Sequence, residues 1–297
     1  MKIIITIPAY NEESTIGTVI QGIKQTMIQT KYDYEIIVVD DGSTDRTAEN
    51  ARKAGAIVFS HPYNYGLAET FRTEMEKALQ SDADIIVHID ADNQYRANEI
   101  PKLIEPVEKG EADLVLGSRF MGTIEEMPVM KRWGNIAFSK VVSQISGIKI
   151  TDAQTGFRAF TREFAEKVRI ISTHTYTQEM VIRAVKEKFK VKEVPVYFAK
   201  REKGKSRLIS NPVEYAIKAW INIFRIYRDY EPLKFFGSMG VTLISASFII
   251  CIYILCILFI EGWVGIDRRI PTILLAVLLF VSGIQILFFG FLADKVK

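Results

Sequence analysis

From Phe235 to Ile260 the chain carries no charged side chain, and from Thr272 to Ala293 it again carries none. Each run exceeds the roughly 20 apolar residues that an α-helix needs to cross a bilayer. No soluble core commonly demands two such stretches in succession, so the sequence predicts a membrane hairpin with spans at about 235–260 and 272–293. Everything before it has to be read as a separate, water-facing body. Neither span holds an acid or a base, which argues against an ion or proton pathway. Small residues (Gly237, Gly240, Ser245 and Ser247 in one span, Gly283 and Gly290 in the other) offer places where the helices can approach closely. Packing between hairpins is an expected route to homo-oligomers. Both cysteines, Cys251 and Cys256, fall in the first run, so a structural disulfide or zinc site is not expected and a reducing compartment fits.

The first 210 residues mix charged and apolar residues as a globular domain does. The net charge of +3 is too small to argue for nucleic acid as a partner. The apolar run of MKIIITIPAY is too short for a signal sequence and suits a first buried strand. Lys2–Ile7, Glu35–Val39, Ile57–Ser60, Ile85–Ile89, Leu114–Leu116 and Val191–Ala199 are strand-like. Helical segments alternate with them: from Ser14, as cap, to about Thr30; from Ser43 and Thr44 to about Ala54; near Ala68–Gln80; and around Lys102–Lys109. This alternation predicts βαβ units and a mostly parallel sheet, with strand ends gathered along one edge. Lys131–Ser146 reads as an amphipathic helix with Lys131, Arg132 and Lys140 polar and Ile136, Val141 and Ile145 apolar.

Acids and small polar residues collect at that edge: Pro8–Glu12, Asp40–Ser43, Asp90–Gln94 and Gly117–Arg119. In open α/β sheets this is where ligands bind. Asp90 and Asp92, spaced i, i+2, are hard oxygen donors of the kind that hold Mg²⁺ or Mn²⁺ together with substrate phosphates. A solvated turn is the competing reading of the same residues. Neither GxGxxG nor GxxxxGK[ST] occurs, so no glycine-rich phosphate cradle is expected. His61, His88 and His174 are read as structural. The basic stretch Arg201–Leu208 reads as an anion-binding flap, and Pro212–Tyr230 as an amphipathic helix for the headgroup plane.

IPAYNEE, VVDDGSTD, DADNQ, GSR, TGFR and EVPV…R…GKSRL, in that order over Met1 to about Leu208, resemble the family 2 glycosyltransferases of the dolichyl-phosphate mannose synthase type. The two-span tail resembles the polyprenyl-phosphate glycosyltransferases, and HTYTQEM their archaeal members. The resemblance implies a GT-A fold (Rossmann-like, mostly parallel), a nucleotide-sugar donor and a polyprenyl or dolichyl monophosphate acceptor. It further implies that Pro8, Tyr10 and Glu12, with Val38 and Asp40, hold the base and ribose. Asp92 and Gln94 bind the metal, Asp90 lies on the sugar or ribose side with Ala91 beside it, and Arg119, Arg201 and Arg207 meet phosphate. Inversion at C1 is likewise implied by the resemblance. A departure is NYGLAETF at Asn64–Phe71, where the family has a glycine- and lysine-rich stretch.

The resulting division is a catalytic domain over 1–210, an interfacial region over 211–233 and the hairpin over 234–297. Lys218, Arg225, Arg228 and Lys234 before the first span, with Lys295 and Lys297 after the second, predict a cytoplasmic catalytic domain and cytoplasmic termini; Arg268 and Arg269 between the spans weaken that signal without reversing it. Transfer to an ionised phosphate needs no side chain to deprotonate the acceptor. Three rivals stand beside this reading. A processive polysaccharide synthase would carry QxxRW, but Val129 stands where that motif needs Gln before Arg132–Trp133. A transferase acting on a glycan or other hydroxyl would need a base, for which Asp152 or Glu179 could serve. A non-catalytic membrane scaffold is the third.

Overall fold

The computed structural model describes residues 1–170, 176–200, 221, 224–225, 227–261 and 269–295. It divides into two compact units, Met1–Pro212 and Val213–Lys297.

The first unit is built on a seven-stranded sheet in the order β3-β2-β1-β4-β6-β5-β7. Its strands are β1 (Lys2–Ala9), β2 (Asp33–Asp40), β3 (Ile57–Ser60), β4 (Ile85–His88), β5 (Leu114–Ile124), β6 (Arg158–Thr161) and β7 (Val191–Phe198). The helices are α1 (Ile16–Met27), α2 (Thr47–Lys53), α3 (Leu67–Gln80), α4 (Ile100–Glu108), α5 (Val129–Ser146), α6 (Arg162–Lys167) and α7 (Thr177–Lys186). Strands β1 to β4 pair in parallel, β6 is antiparallel to both β4 and β5, and β7 runs parallel to β5. The mostly parallel sheet expected from the alternation is therefore present, in the GT-A-like arrangement that the resemblance implies.

The centre of the sheet has no wet face. Ile3, Ile4 and Ile5 of β1 and Ile86 and Val87 of β4 are fully buried, as unbroken β-branched runs require when helices cover both sides. Helix α1 closes one side through Ile16, Val19, Ile20, Ile23 and Met27, a row spaced three and four residues apart. Parallel register brings Ala9 opposite Asp40 and Asp40 opposite Ser60, so the C-terminal ends of β1, β2 and β3 share one edge. Strand β4 joins it, with His88 opposite Thr6.

Several local expectations need correction. Helix α1 starts at Ile16 behind Thr15 and ends at Met27, and α2 starts at Thr47. Ser14 caps nothing, and Ser43 and Thr44 instead tie two loops together. Gly117–Arg119 is no strand end, because β5 continues to Ile124 with a register irregularity between Ser118 and Thr123. Gly122 permits this: a Cβ there would lie 2.0 Å from the Val196 carbonyl oxygen. Strand β6 was not anticipated at all.

In the second unit two helices, Pro232–Glu261 and Ile270–Lys295, are long and apolar enough to cross a membrane. They meet at Gly240 and Gly283, where a Cβ on either would lie within 3 Å of the other helix's backbone. Buried Ser247 donates from Oγ to the Ala276 carbonyl at 2.7 Å. Gly237 and Gly290 also meet, since a Cβ on buried Gly290 would lie 3.5 Å from the Gly237 amide nitrogen, although the Cβ position of Gly237 itself faces open space. Ser245, expected at the same contact, is exposed and does not join it. Most other side chains of both helices, Phe259 and Ile249 among them, point outward and apolar.

Candidate active site

The loop after β1 and the loop after β2 are stapled together. Asn11 sits in the left-handed region (φ 53°), which Asn tolerates better than most residues. Its amide donates to Ser43 Oγ at 2.8 Å, and its Oδ1 accepts from the Thr44 amide at 2.7 Å. The Glu12 amide donates to Thr47 Oγ1 at 2.7 Å, and Thr15 Oγ1 donates to the Glu12 carboxylate at 3.0 Å. Half-buried Pro8, Tyr10 and Glu12 thus stand along a braced rim beside buried Asp40, whose Oδ1 accepts from the Ser43 amide at 3.2 Å. Val38 is placed otherwise than expected. It lies wholly within the hydrophobic core, so its side chain faces no ligand.

Asp41 is committed to shaping the next loop. Its carboxylate accepts from His61 Nδ1 at 2.8 Å and from the Tyr65 and Gly66 amides at 2.9 Å each. Gly42 (φ 71°) lets Tyr63 press against it, since a Cβ would lie 2.4 Å from the Tyr63 carbonyl carbon. The departure at Asn64–Phe71 therefore has its own support, carried by Asp41 and His61.

After β4 the chain turns sharply. Asn93 adopts φ 59°, and Asp92 Oδ1 accepts from the Gln94 amide at 3.2 Å, an Asx-type turn. The turn reading of this stretch holds, and the turn lies at the end of β4. Ala91 is buried in the core. Asp90 keeps 37% of its side chain exposed. Gly156 makes room for it, because a Cβ there would lie 2.3 Å from Asp90 Oδ2. Gln94 is buried and pinned: Nε2 donates to the Ala199 carbonyl at 3.1 Å while the Ala199 amide donates to the Gln94 carbonyl at 2.8 Å. This leaves Oε1 as the amide atom suited to a cation.

Behind Asp90 lies a buried network. His88 Nδ1 is 2.6 Å from Glu74 Oε2, and His88 Nε2 is 2.6 Å from Tyr176 Oη and 3.9 Å from Asp90 Oδ1. The Tyr176 ring stacks on Phe71 at 4.0 Å. Burial pushes the Tyr176 phenol well above its ordinary pKa, as it does that of Tyr95. Tyr95 Oη accepts from the Gly156 amide at 3.1 Å and contacts Thr155 Oγ1 at 3.2 Å. Glu74, Tyr95, Thr155 and Gly156 went unnoticed as site residues. The adjacency of Tyr95 to the aspartates and the TGFR stretch was the available signal.

Arg119 also differs from expectation. It is buried, and its guanidinium grips Asp152 with two bonds, Nε to Oδ2 at 2.7 Å and Nη2 to Oδ1 at 2.8 Å. Burial lowers its pKa, but Tyr95, Asp152 and Asp90 raise it by more, so it is held charged. Its side chain is only 5% exposed, so the guanidinium lies behind the edge with Nε and Nη2 turned to Asp152. Asp152 is itself fully buried, and Glu179, nearly so, pairs with Arg183 at 2.6 Å. Neither is presented as a free base. His61 and His88 are both held by carboxylates, as structural residues are. Arg201, Arg207, His174 and most of Pro212–Tyr230 lie outside the described residues.

Among the described residues no group of three or more His, Cys, Asp and Glu is placed to hold a metal. The edge instead offers two half-buried carboxylates, Asp90 and Asp92, with the amide of buried Gln94 near them in sequence. That set suits a hard divalent cation whose remaining positions are filled by phosphate oxygens and water.

The family model for Glycosyl transferase family 2 matches residues 4–169, which takes in the whole edge from β1 through Gly156. A dolichyl-phosphate hexose transferase of Haloferax volcanii is 34% identical over 201 residues, covering 67% of this chain and 83% of that one. A UDP-N-acetylglucosamine–dolichyl-phosphate N-acetylglucosaminyltransferase of Methanococcus voltae is 32% identical over 217 residues, covering 65% and 84%. Among solved structures, glucosyl-3-phosphoglycerate synthase from Mycobacterium tuberculosis superposes with a TM-score of 0.60 at 21% identity, over 75% of this chain and 79% of that one, which speaks to the fold. With the matching fold, strand-end acids and relatives of nearly their full length in hand, this chain belongs to glycosyl transferase family 2.

Proposed function

We propose that this chain transfers a hexose from a nucleoside diphosphate sugar to a polyprenyl monophosphate, inverting the configuration at C1. The observation that carries the choice of acceptor is the engagement of Asp152 by Arg119 and of Glu179 by Arg183. A hydroxyl acceptor needs a general base, and the two acids named for that task are both buried and ion-paired. A phosphate monoester is already ionised at neutral pH and can attack C1 directly. The dolichyl-phosphate acceptors in the names of both relatives support the same reading.

Pro8, Tyr10, Glu12 and Asp40 hold the base and ribose, and Asp90 orients the sugar. Asp92 and Gln94, with Asp90 beside them, would hold Mg²⁺ or Mn²⁺, which supplies Lewis acidity for the charge that builds on the leaving diphosphate. Arg201 and Arg207 hold the acceptor phosphate, whose repulsion from the donor diphosphate would otherwise keep the two apart. Arg119 acts from behind, keeping Asp152 and the loop that bears it, between α5 and β6, in place. The catalytic part occupies 1–210 and faces the cytoplasm, as do both termini.

The test is a donor panel (GDP-mannose, UDP-glucose, UDP-N-acetylglucosamine) offered to the full chain in lipid nanodiscs, with polyprenyl phosphate or free polyprenol as acceptor. Mass spectrometry of the lipid should find a phosphate-linked sugar with one donor and nothing on the free alcohol. Glycosylated polyprenol would overturn the acceptor assignment. Nucleotide binding without transfer from any donor would favour the scaffold.

A further inference from the structure

Helix α5 has apolar residues on both of its sides. Its inner side is ordinary: Asn135, Phe138, Ser139, Val142 and Ile145 are buried. Its outer side should be polar, yet Val129, Met130, Trp133 and Ile136 are 68%, 46%, 69% and 41% exposed. At about 100° per residue, Val129, Trp133, Ile136 and Lys140 fall in one narrow strip facing away from the sheet. Ile136, expected on the inward side, is therefore on the outside. The helix carries Lys131, Arg132 and Lys140 and no acid. The two acids that precede it are engaged elsewhere, Glu125 by Tyr197 and the Lys200 amide, Glu126 by the Lys200 ammonium at 2.6 Å.

We propose that this outer face docks the catalytic unit onto an anionic bilayer surface. Val129, Trp133 and Ile136 enter the boundary between headgroups and acyl chains, with Arg132 and Lys140 at lipid phosphates. Three features single out this occupant. An exposed row of Trp with aliphatic residues, flanked by cations, has the composition of helices that lie in the plane of a membrane. A second copy of the chain fits poorly, because a two-fold contact centred on this strip would set the cations Arg132 and Lys140 of one copy against those of the other, with no acid on the helix to offset them. And a chain with two helices long enough to span a bilayer always has that surface at hand. The inference concerns where the unit rests and does not depend on which sugar or acceptor it uses.

Nitroxide labels placed one at a time through Val129→Cys, Trp133→Cys and Ile136→Cys, in a Cys251→Ser/Cys256→Ser background, test it in the full chain. The protein is held in nanodiscs of phosphatidylcholine with phosphatidylglycerol, one copy per disc. Lys53→Cys, exposed on α2, reports the aqueous value, and Ile249→Cys, exposed on the first apolar helix, reports insertion. Accessibility to oxygen relative to a nickel chelate should rise at 129, 133 and 136 above the value at 53, towards that at 249. The rise should shrink when phosphatidylglycerol is left out. Values at 133 and 136 equal to that at 53, with 249 still buried in lipid, overturn the docking while leaving membrane insertion intact. A rise that ignores lipid charge overturns the anionic preference. Spin–spin broadening at 133 in discs holding two copies, without lipid contact in discs holding one, assigns the face to a second copy and also overturns it.

Discussion

Gly156 is defined by what it cannot carry. A methyl group there would sit 2.3 Å from Asp90 Oδ2, so Gly156→Ala must push the carboxylate aside. Overpacking of this kind costs about 1–3 kcal/mol. Weaker Mn²⁺ binding in the presence of UDP or GDP, read by calorimetric titration, is the expected result; unchanged affinity would show that the position of Asp90 does not matter. Asp152 makes the complementary case. Removing its charge in Asp152→Asn leaves the Arg119 guanidinium buried without its partner, a loss of about 3–5 kcal/mol. Thermal unfolding should fall markedly for this variant and recover in Arg119→Met/Asp152→Leu. Neither role was visible beforehand, because spacing in sequence places a carboxylate near a site but does not say which guanidinium or glycine faces it.

At the scale of elements, the unbroken apolar runs of β1, β2 and β4 were readable because a strand buried on both faces has no polar alternation to disguise it. Strand β6 was not, and Arg158 is the reason. Read as a surface residue, it breaks the run. In the fold its guanidinium is fully buried, donating to the carbonyls of Ala153, Thr155 and Thr177 at 2.9–3.0 Å, and burial lowers its pKa. Strand β5 is longer than its apolar run Leu114–Leu116 suggests, because Gly117 and Gly122, without side chains, let Val196 of β7 lie against the strand. The apolar hairpin distinguishes between its glycines. Gly283→Val would drive a side chain into Ile244 and the Gly240 carbonyl, while Gly237→Val meets open space. Thermal unfolding in detergent should drop for the first and stay near that of the parent for the second. Ser247→Ala should cost about 0.6 kcal/mol, the usual worth of a hydrogen bond between spanning helices.

At the scale of the whole molecule, the class of fold, the acid-rich sheet edge and the two apolar helices could be read from residue pattern, since each follows from the alternation or length of apolar runs. The inward commitment of Arg119 and the outward turn of Ile136 could not, since both depend on which elements meet. Chelation gives a test at this scale. Transfer in nanodiscs should stop with excess EDTA and return with Mn²⁺ or Mg²⁺, while Asp92→Ala should stay inactive with either ion and keep the parent's unfolding temperature. Activity that survives chelation would remove the metal from the scheme. One contact described above also links distant parts of the chain. Gln94 and Ala199 hold each other by two hydrogen bonds, so the turn after β4 and the residue that follows β7 are clamped together across 105 residues of sequence. The stiffness of that turn is therefore set partly from the last strand of the sheet, where substitutions can tune it without changing Asp90 or Asp92.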